Sequence, residues 1–245
     1  MNIRRRVFWA AYARVYDQLW DNELMADVGA WVARKLPAGG AVLEVGAGTG
    51  IVAAHLRAHG HAVTACEPTP AMAARCARKL PDLAPTPTSC EDLAAGVADN
   101  VVAVNMVHML EDPVLGVARL RRACRPGGVV VLVTPDPDNG LLAVAAAQRR
   151  AGVSRRRAAR FIAWHLVLGP LAALCGLPAP RRLDWVRPDA AWLAEATDRI
   201  GPIGGVYWLF TLPAADDATP RPPQYSARWR RPSCTSGSSG TGGSA

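Results

Sequence analysis

A short apolar run leads directly into a glycine-rich turn in the segment VLEVGAGTG, residues 42–50. Gly46, Gly48 and Gly50 stand at alternate positions, and a stretch with helical spacing follows over residues 51–59. A strand that leads into a glycine-rich turn and then into a helix brings backbone N–H groups to one point that a ligand can approach closely. This order of elements predicts a ligand-binding loop in an α/β protein.

Apolar runs and helical patterns alternate along the chain on both sides of this loop. Strands that are regularly followed by helices build parallel sheets. Pro87 interrupts one short run, and proline is tolerated in a sheet only at an edge. We therefore predict an α/β fold with a mostly parallel sheet. The predicted strands are residues 41–45, 61–66, 86–88, 101–106, 129–134 and 206–212, and the predicted helices after the loop include 51–59, 70–80, 113–124 and 189–200.

The same patterns divide the chain into segments. Two helical patterns within residues 7–36 predict an N-terminal helical segment, 1–40. Residues 41–135 form the predicted cofactor-binding core, which resumes at 188–213. Between them, 136–187 carry helical patterns without strands and are predicted to be a helical cap. Residues 214–245 are rich in Pro, Ser, Thr, Gly and Arg, and such a tail buries too little apolar surface to offset its ordering entropy.

Composition excludes several classes of function. The net charge of +8 is carried almost wholly by arginine, since Lys35 and Lys79 are the only lysines, and we expect no nucleic-acid partner. Six cysteines form no CxxC pair and no zinc-type cluster with histidine, which predicts no metal site and a reducing, cytoplasmic location. The longest apolar stretch, 161–177, falls short of the ~20 residues that a membrane span needs.

Two acids flank the glycine loop. Glu44 precedes Gly46 by two positions, and Glu67 is the first acid after the second predicted strand. The dinucleotide fingerprint GxGxxG would need glycine where Ile51 stands. The loop therefore suits an adenosine ligand with an uncharged or cationic linker rather than a pyrophosphate. A carboxylate at Glu67 can accept hydrogen bonds from both hydroxyls of a ribose.

Four segments in this order resemble the class I S-adenosylmethionine-dependent methyltransferases of the small-molecule type, methyltransferase type 11-like: VLEVGAGTG at 42–50, ACEP at 65–68, NVVAVNMVHMLEDP at 100–113 and LRRACRPGGVVVLVTP at 120–135. The resemblance implies a Rossmann-like sheet of seven strands, ordered 3-2-1-4-5-7-6, with the helical cap inserted after strand 5. Only residues 201–205 separate the last predicted helix from the last strand. The sixth strand is therefore expected to be shortened, displaced or missing, which leaves a six-stranded sheet as the alternative.

The resemblance also implies S-adenosyl-L-methionine as cofactor and a set of residues around it. Ser89 stands where the family often has an acid that contacts the adenine amino group, so this contact is expected from backbone groups or from Glu91. The implied positions are Glu44, Gly46, Ala47 and Gly48, with Gly50, for the methionine portion and the loop; Glu67 for the ribose; Pro68, Met72, Ser89, Cys90 and Glu91 around the adenine; and Asn105 and Met106 for the methyl-donor site.

Three further side chains are candidates for catalysis or closure. His108, on the loop that leaves the fourth predicted strand, is the best-placed general base if the acceptor is a hydroxyl or an acidic carbon; the alternative is that it only packs there. Tyr12 and Tyr16 match the family's N-terminal helix, and the resemblance thus implies that residues 1–40 form a lid over the cofactor, although a spacing of four also suits a packed helical face. The basic stretch before the apolar run at 161–177 is either a solvated helix face or a collar that sets residues 149–177 on a membrane surface.

These observations favour transfer of a methyl group to a hydrophobic small molecule, with oxygen or carbon as acceptor ahead of nitrogen, because the predicted cap is apolar. A second hypothesis is a regulatory or assembly module that binds the cofactor without transferring its methyl group. A third, RNA methylation, is weakened because the chain lacks an NPPY-type motif.

Overall fold

The computed structural model describes residues 3–136, 138–177 and 196–215, which fold around one six-stranded sheet with the strand order β2-β1-β3-β4-β6-β5. The strands are β1 (Ala41–Val45), β2 (Ala62–Cys66), β3 (Asn100–Val104), β4 (Val129–Pro135), β5 (Asp198–Ile203) and β6 (Tyr207–Pro213). The helices are α1 (Ile3–Trp20), α2 (Glu23–Lys35), α3 (Ile51–Ala58), α4 (Pro70–Lys79), α5 (Pro113–Ala123), α6 (Leu141–Arg150) and α7 (Arg155–Leu174).

The first four strands of the sheet run parallel. β1 lies between β2 and β3, so that Leu43 is in register with Thr64 on one side and with Val101 on the other. β4 pairs in parallel with β3, and β6 then pairs antiparallel with β4. Because parallel strands end at the same edge, the loops after β1, β2 and β3 meet at one place. The mixed α/β fold and the mostly parallel sheet are as predicted.

The sheet departs from the predicted seven strands at its β2 edge. The predicted strand at 86–88 is reduced to a single parallel bridge between Cys66 and Thr86. Thr86 donates to the Ala65 carbonyl and accepts from the Glu67 N–H. The next residue, Pro87, has no N–H group, so the ladder cannot continue through it.

The prediction of a helix over 189–200 was wrong at its C-terminal end, because residues 198–200 form the start of β5. A six-residue strand therefore stands where the sixth strand was expected to be short or missing, and it pairs antiparallel with β6. The turn between the two strands contains Gly204 and Gly205, both with positive φ, which allows the chain to reverse within very few residues. Residues 189–195 of that predicted helix, and the predicted tail beyond Ala215, lie outside the described residues.

Helices cover both faces of the sheet. On one face, Val117 and Leu120 of α5 pack against strand residues such as Val101 and Leu132. On the other, α2, α3 and α6 supply Val28, Leu56 and Ala147 to a second cluster. Strand residues that alternate between these two clusters are buried on both sides of the sheet, which explains the continuous apolar runs in β3 and β4.

The helix ends follow local capping rules. The Asn22 side chain accepts from the N–H groups of Leu24 and Met25, at 3.1 and 3.3 Å, and thereby starts α2 directly after α1. Asp112 caps α5 in the same way, at 2.9 Å from the Leu115 nitrogen, and Pro113 follows as the first helical residue. The two helices predicted within residues 7–36 are thus confirmed as α1 and α2.

A third apolar cluster joins α1 to α4, α6 and α7. Phe8, Tyr12 and Leu19 of α1 pack with Met72 of α4 and with Phe161 of α7. Through this cluster α1 reaches the carboxyl edge of the sheet, beside the glycine loop. The two helices that follow β4 within the predicted cap segment are α6, which packs on the sheet, and α7, which packs on α6 and α1. No helix within the described residues is both long and apolar enough to cross a bilayer.

Candidate functional site

The glycine loop between β1 and α3 is anchored to the end of β2. The N–H groups of Gly46 and Ala47 both donate to the Cys66 carbonyl oxygen, at 2.9 and 3.1 Å. These two donors are therefore used within the protein. The loop glycines Gly46, Gly48 and Gly50 have φ values of 72°, 58° and 80°, a region that side-chain-bearing residues rarely adopt.

The three glycines differ in what surrounds them. A Cβ atom at Gly46 would lie 2.9 Å from the Cβ of Met106, and one at Gly50 would lie 2.6 Å from the Sγ of Cys76. At Gly48 the nearest atom would be the Cε1 of Tyr16, at 4.0 Å. Close packing within the protein thus accounts for Gly46 and Gly50. Gly48 alone of the three presents open backbone, so it is the position where a ligand could approach.

Glu67 holds this open part of the loop. Its side chain is buried, and its two carboxylate oxygens accept from the backbone N–H groups of Gly48 at 2.9 Å and Thr69 at 2.7 Å. Each carboxylate oxygen can accept more than one hydrogen bond. Glu67 is therefore fixed beside Gly48 and keeps lone pairs for donors of a ligand.

Glu44 is the second acid of the site and is only 2% exposed. A hydrogen bond from the backbone N–H of Ala53 reaches its carboxylate and satisfies one of the free donors at the start of α3, whose N-cap residue, Gly50, has no side chain. The Oε2 atom is buried without a hydrogen-bond partner. Burial, and after it the nearby charge of Glu67, raise the pKa of Glu44 to about 8.

A small cavity of about 20 Å³ lies between the loop and α1. The end of β3 contributes Asn105, whose φ of 55° is the only positive value at a non-glycine residue among the described residues. The Asn105 Oδ1 atom is buried without a partner, and the Asn105 side chain forms a hydrogen bond with Tyr207. The cavity is lined by Tyr16, Trp20, Met25, Glu44, Gly46, Ala47, Ile51, Val52, Val104 and Asn105.

Aromatic side chains of α1 form the roof of this cavity. The Trp20 Nε1–H donates to the Tyr12 hydroxyl at 2.7 Å, and the Tyr12 and Tyr16 rings pack edge to face. Burial raises the pKa of Tyr12 to about 12, and burial also raises the pKa of Tyr16 well above its usual value. Both phenols are therefore neutral at physiological pH. Trp20, which stands one helical turn after Tyr16, was not among the predicted site residues.

A polar chain that the sequence analysis missed fastens α1 to the loop. Asp17 accepts a hydrogen bond from the Thr49 hydroxyl, and the Lys79 ammonium lies 3.1 Å from Asp17 and 3.2 Å from Asp21. Thr49 belongs to the glycine loop and Lys79 to the last turn of α4. These contacts join residues far apart in sequence, so local patterns carried no signal for them.

His108 lies in a short 3-10 helix, Val107–Met109, directly after β3. It is half-buried and does not line the cavity. Its Nδ1 atom is buried without a hydrogen-bond partner, and burial lowers the pKa of His108 to about 4. The imidazole is therefore neutral at pH 7, and its conjugate acid is too strong for the ring to be an effective base there.

The residues predicted around the adenine lie apart from this cavity. Pro68 is exposed, and Met72 is buried beneath α1. The Ser89 hydroxyl donates to Asp92 at 2.7 Å, and Cys90 is buried in the core beside α5. Glu91 points to the surface, being exposed. Their assignment to the adenine stays a prediction.

The described residues contain no cluster of His, Cys, Asp or Glu that could hold a metal ion. Two buried polar oxygens without hydrogen-bond partners belong to Glu44 and Asn105, and both residues line the cavity between the glycine loop and α1. Buried polar atoms are normally hydrogen-bonded, so such a pair suits a ligand that donates hydrogen bonds or carries positive charge. The fit of S-adenosyl-L-methionine is therefore good in charge, since it carries an ammonium and a sulfonium group. The fold and these groups define the class of α/β proteins that bind a nucleoside cofactor at the carboxyl ends of β1 and β2.

Comparison with known proteins gives the family. A family described as "Methyltransferase domain" matches residues 16–175, and the chain belongs to it. S-adenosyl-L-methionine is the cofactor that this membership assigns to the chain.

Individual relatives are more distant. A phosphatidylethanolamine N-methyltransferase from Cereibacter sphaeroides is 35% identical over 103 residues, which cover 39% of this chain and 50% of the relative. The match thus spans half the length of that protein.

Solved structures share the fold. One assigned to the S-adenosyl-L-methionine-dependent methyltransferases, from Methanococcus maripaludis, has a TM-score of 0.58 at 11% identity and covers 86% of this chain and 96% of its own. An S-adenosylmethionine-dependent methyltransferase structure from Thermotoga maritima has a TM-score of 0.51 at 17% identity, with 85% and 99% covered.

Proposed function

We propose that this chain transfers the methyl group of S-adenosyl-L-methionine to a hydrophobic small-molecule acceptor. The observation that carries the proposal is the group of buried, incompletely paired polar atoms of Glu44 and Asn105 beside the open backbone of Gly48. Buried polar atoms without partners cost free energy in the absence of a ligand, and in a methyltransferase-domain protein the cofactor is the ligand that would satisfy them.

The chain's own residues have separable tasks in this proposal. The cofactor supplies an electrophilic methyl group on a sulfonium sulfur. Glu67 would accept hydrogen bonds from its ribose hydroxyls and keep the loop in place through the Gly48 N–H. Glu44, which keeps its proton near neutral pH while the site is empty, would lose it when the cofactor binds and would then balance the cofactor's positive charge. Transfer breaks the S–CH₃ bond, forms a bond from the methyl carbon to the acceptor atom and releases one proton.

Tyr16 and Trp20 would act as a lid that excludes water from the transfer. The cavity beneath them, about 20 Å³, has room for roughly one water molecule. Ligand pockets usually hold about 300 Å³ or more. Cofactor entry would therefore require α1 to move away from the loop, and closure afterwards would hold acceptor and methyl group in line.

The acceptor atom has two candidates. Oxygen or carbon is the prediction from the sequence. Nitrogen is the second candidate, because the low pKa of His108 makes a strong base unavailable at that position, and a neutral amine needs no base to attack. The relative from Cereibacter sphaeroides, named as an N-methyltransferase of phosphatidylethanolamine, agrees with this second candidate.

A pair of glycine variants tests the cofactor position. Gly48→Ala and Gly60→Ala place a Cβ at similar positive φ values of 58° and 86°, and neither meets protein atoms closer than 4.0 Å. Both should lose about 1 kcal/mol of stability through backbone strain. Gly48→Ala alone should weaken cofactor binding, by about tenfold in calorimetry. Equal affinities in the two variants would remove Gly48 from the site.

The transfer itself is tested with methyl-labelled cofactor and three acceptor sets: a phenol or quinol panel, phosphatidylethanolamine, and structured RNA. Label in the first set with formation of S-adenosylhomocysteine supports oxygen or carbon as acceptor, and label in the second supports nitrogen. Label in RNA alone would refute a hydrophobic acceptor. Cofactor binding without S-adenosylhomocysteine in any set, or in a lipid extract, would support the non-catalytic binding module instead.

A further inference from the structure

Helices α1 and α7 lie side by side and run in opposite directions. At one end, the Arg5 guanidinium donates to the Gly176 carbonyl oxygen at 2.8 Å. At the other, the Arg157 guanidinium donates to the Asp21 carbonyl oxygen. Between these two ends, Phe8 and Tyr12 of α1 pack with Phe161 and Leu168 of α7. The sides of the two helices that face each other are thus packed in the core.

The opposite sides of both helices carry large apolar side chains in solvent. Because the Arg5 contact joins the start of α1 to the end of α7, the exposed apolar residues of the two helices lie at the same end of the pair. We call this set the outer face: Ile3 (70% exposed), Val7 (61%), Leu166 (66%), Val167 (61%), Leu171 (38%) and Leu174 (76%). Scattered exposed apolar residues are normal, but six large ones toward one end of a helix pair are the kind of group that marks an interaction surface.

The charge on the two helices that carry the outer face is almost entirely positive. The two helices together contain eight arginines and a single acid, Asp17, which is engaged by Thr49 and Lys79. The neighbouring helix α6 contains no acid and ends in two more arginines. A surface that combines exposed leucine and valine with arginine is complementary to a layer of anionic headgroups above acyl chains. The exposed arginines are Arg4, Arg6, Arg14, Arg155, Arg156 and Arg160.

An open groove between α6 and α7 is, like the outer face, apolar and accompanied by arginines. Its volume is about 370 Å³. Leu142, Ala145 and Ile162 contribute to its apolar lining, while Arg149 and Arg155 also line it. An apolar channel flanked by guanidinium groups fits a lipid, whose acyl chain and anionic headgroup match these two parts. A protein partner would not require that arrangement.

We propose that the outer face of α1 and α7 docks on an anionic lipid bilayer, with Leu166, Val167, Leu171 and Leu174 entering the headgroup region and the arginines contacting lipid phosphates. Docking at this face sets the helix that roofs the cavity, α1, against the bilayer. This inference does not depend on which acceptor atom the enzyme uses. It predicts an acceptor or product that partitions into membranes.

The experiment is vesicle flotation of the full chain with two lipid compositions, phosphatidylcholine alone and phosphatidylcholine with about a third phosphatidylglycerol. We expect binding to the second composition that weakens as salt rises, and little binding to the first. The double variant Leu166→Ser/Leu174→Ser should bind at least tenfold more weakly. The matched control is Val97→Ser, an exposed apolar residue elsewhere, 43% exposed, which should bind as the parent does.

A charge-reversal pair tests the electrostatic part. Arg155→Glu/Arg156→Glu should lose salt-dependent binding, whereas Arg122→Glu on α5, also exposed, should not. Absence of binding to anionic vesicles, or equal binding by all variants, would overturn the proposal. So would a dimer in gel filtration that Leu166→Ser/Leu174→Ser dissociates, because the outer face would then bind a second copy. Cofactor binding by the same variants should be unchanged, so failure here leaves the proposed methyl transfer standing.

Discussion

At the carboxyl edge of the sheet, polar oxygens of Glu44 and Asn105 are buried without partners, whereas on the outer face of α1 and α7 apolar side chains such as Leu174 are 76% exposed. Proteins usually do the reverse in both places. In the first region, unpaired polar atoms cost free energy that a polar, cationic ligand would remove. In the second region, apolar side chains in water cost free energy that contact with an apolar surface would remove. Helix α1 belongs to both regions, with Tyr16 on one side and Val7 on the other.

The largest expected effect concerns the buried carboxyl group of Glu44. Its pKa is raised to about 8 in the folded protein, so the folded state keeps a proton that the unfolded state releases above about pH 4.5. Stability contributed by this proton is present below pH 4.5 and is lost as pH rises to about 8. In urea unfolding, the stability of the parent relative to Glu44→Gln should fall between pH 4.5 and 8.5, by at most about 5 kcal/mol.

The matched control is Glu91→Gln, since Glu91 is exposed; its stability relative to the parent should be independent of pH over this range. A parent protein that gains stability relative to Glu44→Gln as pH rises would mean that Glu44 is ionised and paired in the folded state.

A smaller effect should separate the two sides of α7. Leu168, 5% exposed, faces α1, and Leu166, 66% exposed, belongs to the outer face. Leu168→Ala should cost about 2–3 kcal/mol of unfolding free energy because it leaves a cavity, and Leu166→Ala should change it by less than about 0.5 kcal/mol. Denaturant unfolding of both variants measures this. If Leu166→Ala were as costly as Leu168→Ala, the outer face would already be covered in the protein.

The smallest effect concerns the ribose-binding role proposed for Glu67. Glu67→Ala should weaken cofactor binding by about 1–3 kcal/mol, because it removes an acceptor for the ligand and a partner of the Gly48 N–H. Isothermal titration calorimetry measures it, with Glu23→Ala, at an exposed acid of α2, as the control. Unchanged affinity in Glu67→Ala would show that Glu67 only supports the loop.

Sequence patterns predicted the parts of the fold that depend on local signals. Strands β1, β3 and β4 are apolar runs because they are buried on both faces, and the glycine loop is visible because its backbone needs positive φ values. Strand β5 was missed, since DRIGPI contains glycine and proline and is held as a strand by its pairing with β6. Pairing between separate strands is a tertiary effect that overrides local propensity.

For the site as well, the sequence showed local signals but not the contacts that form on folding. Glu44, Gly46, Ala47, Asn105 and Tyr16 do line one cavity. The sequence did not show why glycine is needed at positions 46 and 50, because Met106 and Cys76 come close to Gly46 and Gly50 only in the folded protein. The half-buried state of His108, which lowers its pKa to about 4, depends in the same way on its packing, and its role as a general base stays a prediction.

The polar chain from Thr49 through Asp17 to Lys79 has a thermodynamic consequence for ligand affinity. It stabilises the arrangement in which α1 rests on the glycine loop, and a protein that must leave this arrangement to admit a ligand binds it more weakly, by the fraction of molecules that are open. If α1 opens as proposed, this polar chain would set the occupancy of the open form. Higher ionic strength screens Lys79 from its two carboxylates. It would therefore favour the open form and speed the exchange of bound ligand.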